Sequence, residues 1–268
     1  MDKILFDYNL FNKSERKKIP VEFREIADLT LHALEQIQKH NPSLYQAAME
    51  GGKPVTELCL SGPDPKRLGQ TFVKDENSLK IFLEPINLSE KIKELKPNEK
   101  LTFITYILAH EMAHARQEQK NHFLQKWGTV NKKEMDEADY AREIATESDA
   151  TAIGITTVKK AGLPAYETLK EWFKTIHPQL KTTLSMKNYS DMESTLFEED
   201  LKFRLFHFGK KAQEKGIRVG MFSENLIGSV QHGDILERFN NSTIRRLILS
   251  ENNPRNNQIT KSNSESSR

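Results

Sequence analysis

The chain is short of several features that would each point to a class of function. It holds a single cysteine, Cys59, so no internal disulfide can form, and the thiol reads most simply as a small core residue. No long apolar run opens it at Met1-Asp2-Lys3-Ile4-Leu5-Phe6-Asp7, so neither a secretory signal nor a membrane span is expected, and the expected location is the cytoplasm. Neither sign of charge dominates. The 40 Lys and Arg against 38 Asp and Glu leave a net +2, and the Lys-rich stretches alternate with Glu, so nucleic acid is not an expected partner. Internal repeats are also missing. What remains is a 268-residue chain, 37% hydrophobic and 29% charged, which suits a globule with one sizeable core or two small ones.

Histidine is scarce too, at 8 residues, and two of these stand four apart in His110-Glu111-Met112-Ala113-His114. An accidental H-E-x-x-H is expected in roughly 0.02 of chains of this composition, so context has to decide. That context is helical. Pro97-Asn98-Glu99-Lys100 offers a start, with Asn98 a candidate N-cap, and no Gly or Pro follows until Gly128. At 100° per residue, Phe103, Tyr106, Ile107, His110, His114 and Gln117 share one side, while Leu101, Ile104, Leu108, Met112 and Ala115 line much of the other. A helix apolar on two sides is buried, and buried histidines need partners. Two imidazoles on one helical face can share a zinc ion, with Glu111 beside the open coordination position.

A catalytic zinc site takes three protein ligands. The long form H-E-x-x-H-x-x-G-x-x-H is excluded, because Gln117 replaces its Gly and Lys120 its third His. A carboxylate on the next helix is the alternative. That helix is expected from Lys132, capped by Asn131, to about Lys160, with a stop at Ala161-Gly162-Leu163-Pro164. On its wheel Asp136, Tyr140, Glu143, Glu147, Ala150, Thr151 and Gly154 fall together. Glu147 is followed on that face only by small residues, which permit close approach to the histidine helix. It ranks first as third ligand, ahead of Glu143 and then Asp149.

The strings HEMAHARQ and ESDATA resemble the gluzincin-type zinc peptidases, most closely an uncharacterised bacterial metallopeptidase group with H-E-x-x-H-x-x-Q and E-x-D-A. His110, Glu111, His114 and Gln117 match the first motif; Glu147, Asp149 and Ala150 match the second. The resemblance spans roughly residues 55 to 160. It implies a zincin-like fold and hydrolysis of a peptide or protein substrate, with His110, His114 and Glu147 holding Zn2+ and Glu111 as general base. Better-known gluzincins place an acid four residues after the ligand glutamate, where this chain has Thr151. Asp149 lies off that face, and orienting a neighbouring group is the role open to it. Gln117 is expected to bond to local backbone or to a ligand. An oxyanion donor is not singled out among Tyr140, His207 and His232. A regulatory or inactive zincin, and a metal-free helical interaction protein, are the alternatives; oligomeric state is not legible.

The rest of the chain frames this segment as α+β. Thr71 and Val73, then Leu79, Ile81 and Leu83, alternate around Asp75-Glu76-Asn77-Ser78, which reads as a β-hairpin, and Val55 to Leu60 as a third strand. The resemblance makes this hairpin the strand pair before the active-site helix, whose edge accepts an extended substrate by backbone pairing. Val21 to Met49 reads as a long helix or helix pair broken near Asn41-Pro42. Ala165 to Ile176, Asp191 to Lys215 and Ile235 to Leu249 read as helices, with Phe203, Leu205, Phe206 and Phe208 as core residues. The expected division is a zincin-like catalytic core over 1–160, a helical region over 161–250 and a disordered polar tail over 251–268.

Overall fold

The computed structural model describes residues 6–51, 55–64, 66–75, 78–121, 137–174 and 177–214. It is an α+β arrangement: a small mixed four-stranded sheet and, for the most part, helices. The strands are β1 (Phe6–Asn9), β2 (Val55–Gly62), β3 (Gly69–Asp75) and β4 (Ser78–Leu83), in spatial order β1-β2-β4-β3. β2 and β4 run parallel, while β1 on β2 and β3 on β4 are antiparallel. β3 is therefore an edge strand of the sheet. The hairpin register pairs Gly69 with Leu83, Thr71 with Ile81 and Val73 with Leu79. Strand side chains alternate between faces, so these residues, together with Leu58 and Leu60, make one apolar face.

On that face lies a helix whose whole middle is buried. α1 (Lys13–Arg16), α2 (Val21–His40), α3 (Pro42–Tyr45) and α4 (Pro85–Ile92) precede α5 (Pro97–Asn121), which carries the histidine pair. Leu101 through Ala109 and Glu111 through Ala115 are all buried, so α5 is apolar around its circumference as expected. It begins one residue earlier than the proposed Asn98 cap. Pro97 takes the first helical position, where its missing N–H costs nothing, and the Glu99 carboxylate accepts the Lys96 N–H at 2.9 Å. α5 touches α2 on one flank and α6 (Glu137–Lys160) on another. α6 ends where predicted. Leu163 N–H bonds to Val158 O at 3.2 Å and Gly162 N–H to Lys159 O at 3.0 Å, with Gly162 at φ +70°. That Schellman pair needs the left-handed residue that glycine supplies without strain.

The remaining elements are α7 (Ala165–Leu169), α8 (His177–Leu184) and α9 (Tyr189–Glu214), and α9 packs along α6. The helix expected over Ala165 to Ile176 stops at Leu169 and continues as a turn, from which Phe173 still reaches the core. β1, α4 and α8 were not anticipated. α2 and α3 break at Asn41-Pro42 as proposed, and the chain continues as a π-helical turn over Gln46–Glu50. Phe203 packs partly buried against the core as expected. The predicted helix start at Asn131-Lys132, the helix over Ile235 to Leu249 and the tail over 251–268 lie outside the described residues. Among the described residues no helix is long and apolar enough to cross a membrane.

Candidate metal centre

Helical geometry alone stacks His110 over His114, one turn apart on α5, with ring centroids 4.8 Å apart. What the tertiary structure adds is Glu147, brought against them by the approach of α6. A Cβ on Gly154 would stand 2.9 Å from the Tyr106 ring and 3.1 Å from its carbonyl oxygen, so a residue without a side chain is what lets the two helices come this close. The Nε2 atoms of His110 and His114 are 3.2 Å apart. Glu147 Oε2 lies 3.4 Å from His110 Nε2, and Oε1 lies 3.4 Å from His114 Nε2. Among the described residues, these three are the only group of His, Cys, Asp or Glu side chains whose donor atoms converge this way. The Glu143 side chain lies outside the described residues, and Asp149 does not join the cluster.

A hydrogen-bond network decides what the histidines present to one another. Gln117 Nε2 donates to Asp149 Oδ2 at 2.9 Å and to Thr146 O at 3.2 Å, both of which can only accept. The amide oxygen of Gln117 therefore faces His114 Nδ1 at 2.9 Å, and that nitrogen must carry the proton. Nε2 of His114 is left to face another imidazole nitrogen and a carboxylate, where it can bind a proton or a metal ion. At 3.2 to 3.4 Å these groups are held together by a cation shared among them, a proton or a metal ion. The titration behaviour has the same origin. Burial pushes the His114 pKa down, but the charge and hydrogen bond of Glu147, with the Glu111 charge and the Gln117 hydrogen bond, together outweigh it and raise the pKa to about 9. Burial works against the Glu147 charge as well, and the two imidazoles overcome it, holding its pKa well below the usual carboxylate range.

The donor set also fits a metal by size. Donors at about 2.0 to 2.1 Å from a tetrahedral zinc are separated by about 3.3 to 3.4 Å along the tetrahedron's edge. The two imidazole nitrogens, 3.2 Å apart, come within about 0.1 Å of that edge, and each faces its own oxygen of Glu147 at 3.4 Å, so the carboxylate spans the pair. Asp149, fully buried and paired to Arg116 at 3.6 Å, orients Gln117 and through it His114. That is the neighbour-orienting role left open for it by sequence, and Gln117 bonds both to backbone and to a histidine.

Glu111 sits on the sheet side of α5. It is buried, and Thr71 of the edge strand β3 places its hydroxyl 2.9 Å from Glu111 Oε2 and 2.8 Å from Glu111 O. The hydroxyl has one proton and donates to one of them at a time. Gly69 makes room for this carboxylate, since a Cβ there would lie 3.2 Å from Glu111 Cγ and 2.9 Å from Leu83 Cδ2. Glu111 is close enough to raise the His114 pKa through its charge.

Two residues at the centre escaped sequence reading. Arg204 and Asp200, on α9, reach the back of Glu147: Arg204 Nη1 lies 3.7 Å from Glu147 Oε2, and Arg204 Nε donates to Asp200 Oδ2 at 2.6 Å. Their only sequence signal was an acid and a base four apart on a helix with a buried face. The oxyanion candidates Tyr140, His207 and His232 have side chains outside the described residues. Cys59 is buried on the far face of the sheet, where desolvation pushes its thiol up to about 12, the behaviour of an inert core residue. Comparison with known proteins adds no relative: no family model matches the chain, no curated protein matches its sequence, and no solved structure matches its fold at a significant level.

Proposed function

We propose that the chain is a zinc-dependent metallopeptidase with a zincin-like catalytic core, in which His110, His114 and Glu147 hold the metal and Glu111 is the general base. The observation that carries this reading is that the donor atoms of His110, His114 and Glu147 gather within 4.8 Å of one another, with the two imidazole nitrogens 3.2 Å apart and each 3.4 Å from a Glu147 oxygen. When bound, zinc lowers the pKa of a coordinated water from about 15.7 towards about 7 and polarises a substrate carbonyl.

The chain's own residues supply the rest. Glu111 takes a proton from the attacking water and passes it to the leaving amine, and the Thr71 hydroxyl restrains the carboxylate that does so. Gln117 and Asp149 keep His114 in the tautomer whose Nε2 is free to ligate. β3, the edge strand of the sheet among the described residues, offers backbone groups to an extended peptide next to Glu111. A buried carboxylate one residue from a metal ligand favours catalysis over a purely structural metal, which has no use for it.

The test separates ligand from base. Wild-type protein should bind about one zinc, His110→Ala with His114→Ala should bind none, and Glu111→Gln should keep the zinc yet lose hydrolysis of a peptide library. Metal-free wild-type protein after zinc loading and desalting, or a Glu111→Gln variant that cleaves as well as wild type, overturns the assignment.

A further inference from the structure

Glu147 extends from α6 towards two imidazoles, which by themselves leave the carboxylate plane free to turn. The restraint comes from α9. The Arg204 guanidinium touches three groups at once: Asp200 Oδ2 at 2.6 Å, Thr151 Oγ1 at 3.3 Å and Glu147 Oε2 at 3.7 Å. Asp200 is buried, and its charge opposes that of the guanidinium, so the pair as a whole is neutral. Thr151 stands one turn beyond Glu147 on α6, and its hydroxyl also bonds to Tyr106, whose ring lies 6.1 Å from that of His110. A closed circuit of contacts thus runs from His110 through Tyr106, Thr151 and Arg204 to Glu147.

We propose that Arg204, locked by Asp200, is a positioning residue for the third metal ligand, so that α9 is a working part of the metal centre. This rests on the metal-site reading above. A bare cation beside a cation site would weaken metal binding, and a residue serving only the fold has no reason to stand there. Asp200 removes that penalty by cancelling the charge, and what remains at Glu147 is the fixed fork of a guanidinium. With Nε held by Asp200 and Nη2 by Thr151, the rigid guanidinium presents Nη1 to one Glu147 oxygen at 3.7 Å, an ion-pair distance, which favours a single orientation of the carboxylate towards the two histidines. Lysine, a point charge on a flexible stem, cannot reproduce it.

The experiment replaces the pair together, Arg204→Leu with Asp200→Leu, which leaves net charge unchanged and exchanges a buried ion pair for apolar contact that folds tolerate. Zn2+ affinity is read by competition with a chromophoric chelator, coordination by the visible absorption of the Co2+-loaded protein, and folding by thermal melting of the metal-free form. The double variant should bind Zn2+ roughly 10- to 100-fold more weakly with an altered Co2+ spectrum, while melting near the wild-type temperature. Arg204→Lys should fall between the two. A double variant with wild-type Zn2+ affinity and Co2+ spectrum overturns the proposal and leaves the metal site standing. Wild-type protein that takes up neither ion overturns the metal site and the proposal with it. Should the double variant not fold, Arg204→Lys and Thr151→Val decide: wild-type affinity and spectrum in both refute the role of Arg204.

Discussion

Gly154 lies two turns along α6 from Glu147, outside the proposed ligand set and base, yet Gly154→Ala should disable the proposed metal centre. The added Cβ would meet Tyr106 Cδ2 at 2.9 Å, Cε2 at 3.0 Å and the carbonyl oxygen at 3.1 Å. Carbon atoms in good contact stand about 3.5 to 4.0 Å apart, so roughly 0.5 to 1 Å must open between the helices. Tyr106 cannot yield alone. Its ring is buried, set edge-on to Phe173 at 5.4 Å and tilted on His110 at 6.1 Å, and the third contact is backbone. The displacement therefore passes to α5 and α6 as bodies, and the 3.4 Å separations between Glu147 and the imidazoles widen with it. Overpacking costs about 1 to 3 kcal/mol, of which the better helix propensity of alanine returns about 1 kcal/mol, so folding loses about 0 to 2 kcal/mol. Zinc affinity should suffer more specifically, by about tenfold or more, equivalent to about 1.4 kcal/mol.

The control is Gly162→Ala. That glycine has φ +70° and no atom within 4 Å of a built Cβ, so alanine there costs about 1 to 2 kcal/mol of backbone strain and moves nothing. Chelator competition and denaturant unfolding of the metal-free proteins should separate the two, with zinc affinity lost in Gly154→Ala and kept in Gly162→Ala. Wild-type zinc affinity in Gly154→Ala, or an equal loss in both, would refute the argument that close helix approach assembles the ligands.

Three further outcomes follow from the geometry. Gln117→Leu removes the acceptor for His114 Nδ1–H and leaves buried Asp149 short of a donor, so zinc affinity should fall about 10- to 100-fold by the same titration; an unchanged affinity would show that the amide orients nothing. Thr71→Val keeps the shape of the side chain but withdraws the hydroxyl from Glu111, so hydrolysis should drop several-fold with zinc stoichiometry intact, and equal turnover would deny it a part in holding the base. The metal-free protein should lose stability as pH rises, because a folded His114 pKa raised from 6.5 to about 9 gives stabilisation that is complete below the unfolded value and gone above the folded one. The loss amounts to at most about 3 kcal/mol. Zinc, which takes the proton's place, should abolish it, and a flat metal-free profile in denaturant unfolding between those pH values would contradict the coupling of His114 to Glu147.

What the sequence determined by itself was local. Once the segment from Pro97 is a helix, its rise and twist put His110 and His114 on one face whatever surrounds them. The hairpin of Gly69–Asp75 and Ser78–Leu83 follows from period-two alternation around a turn, and the stop of α6 from the left-handed conformation that Gly162 adopts. Glu147 was half legible: the wheel placed small residues beside it, but only packed helices show that the space at Gly154 is used by Tyr106. β1 and α8 escaped notice because a four-residue strand and an eight-residue helix carry too little periodicity to stand out. The pairings that make the centre chemically specific were not legible, even where Gln117 and Asp149 were singled out as residues. Thr71 reaches Glu111 across 40 positions, Gln117 reaches Asp149 across 32, and Arg204 reaches Thr151 across 53. Such contacts depend on how whole elements are placed against one another. Backbone torsions and side-chain periodicity act over a few residues, whereas that placement is set by the collective packing of the core around α5, so only the tertiary structure could decide it.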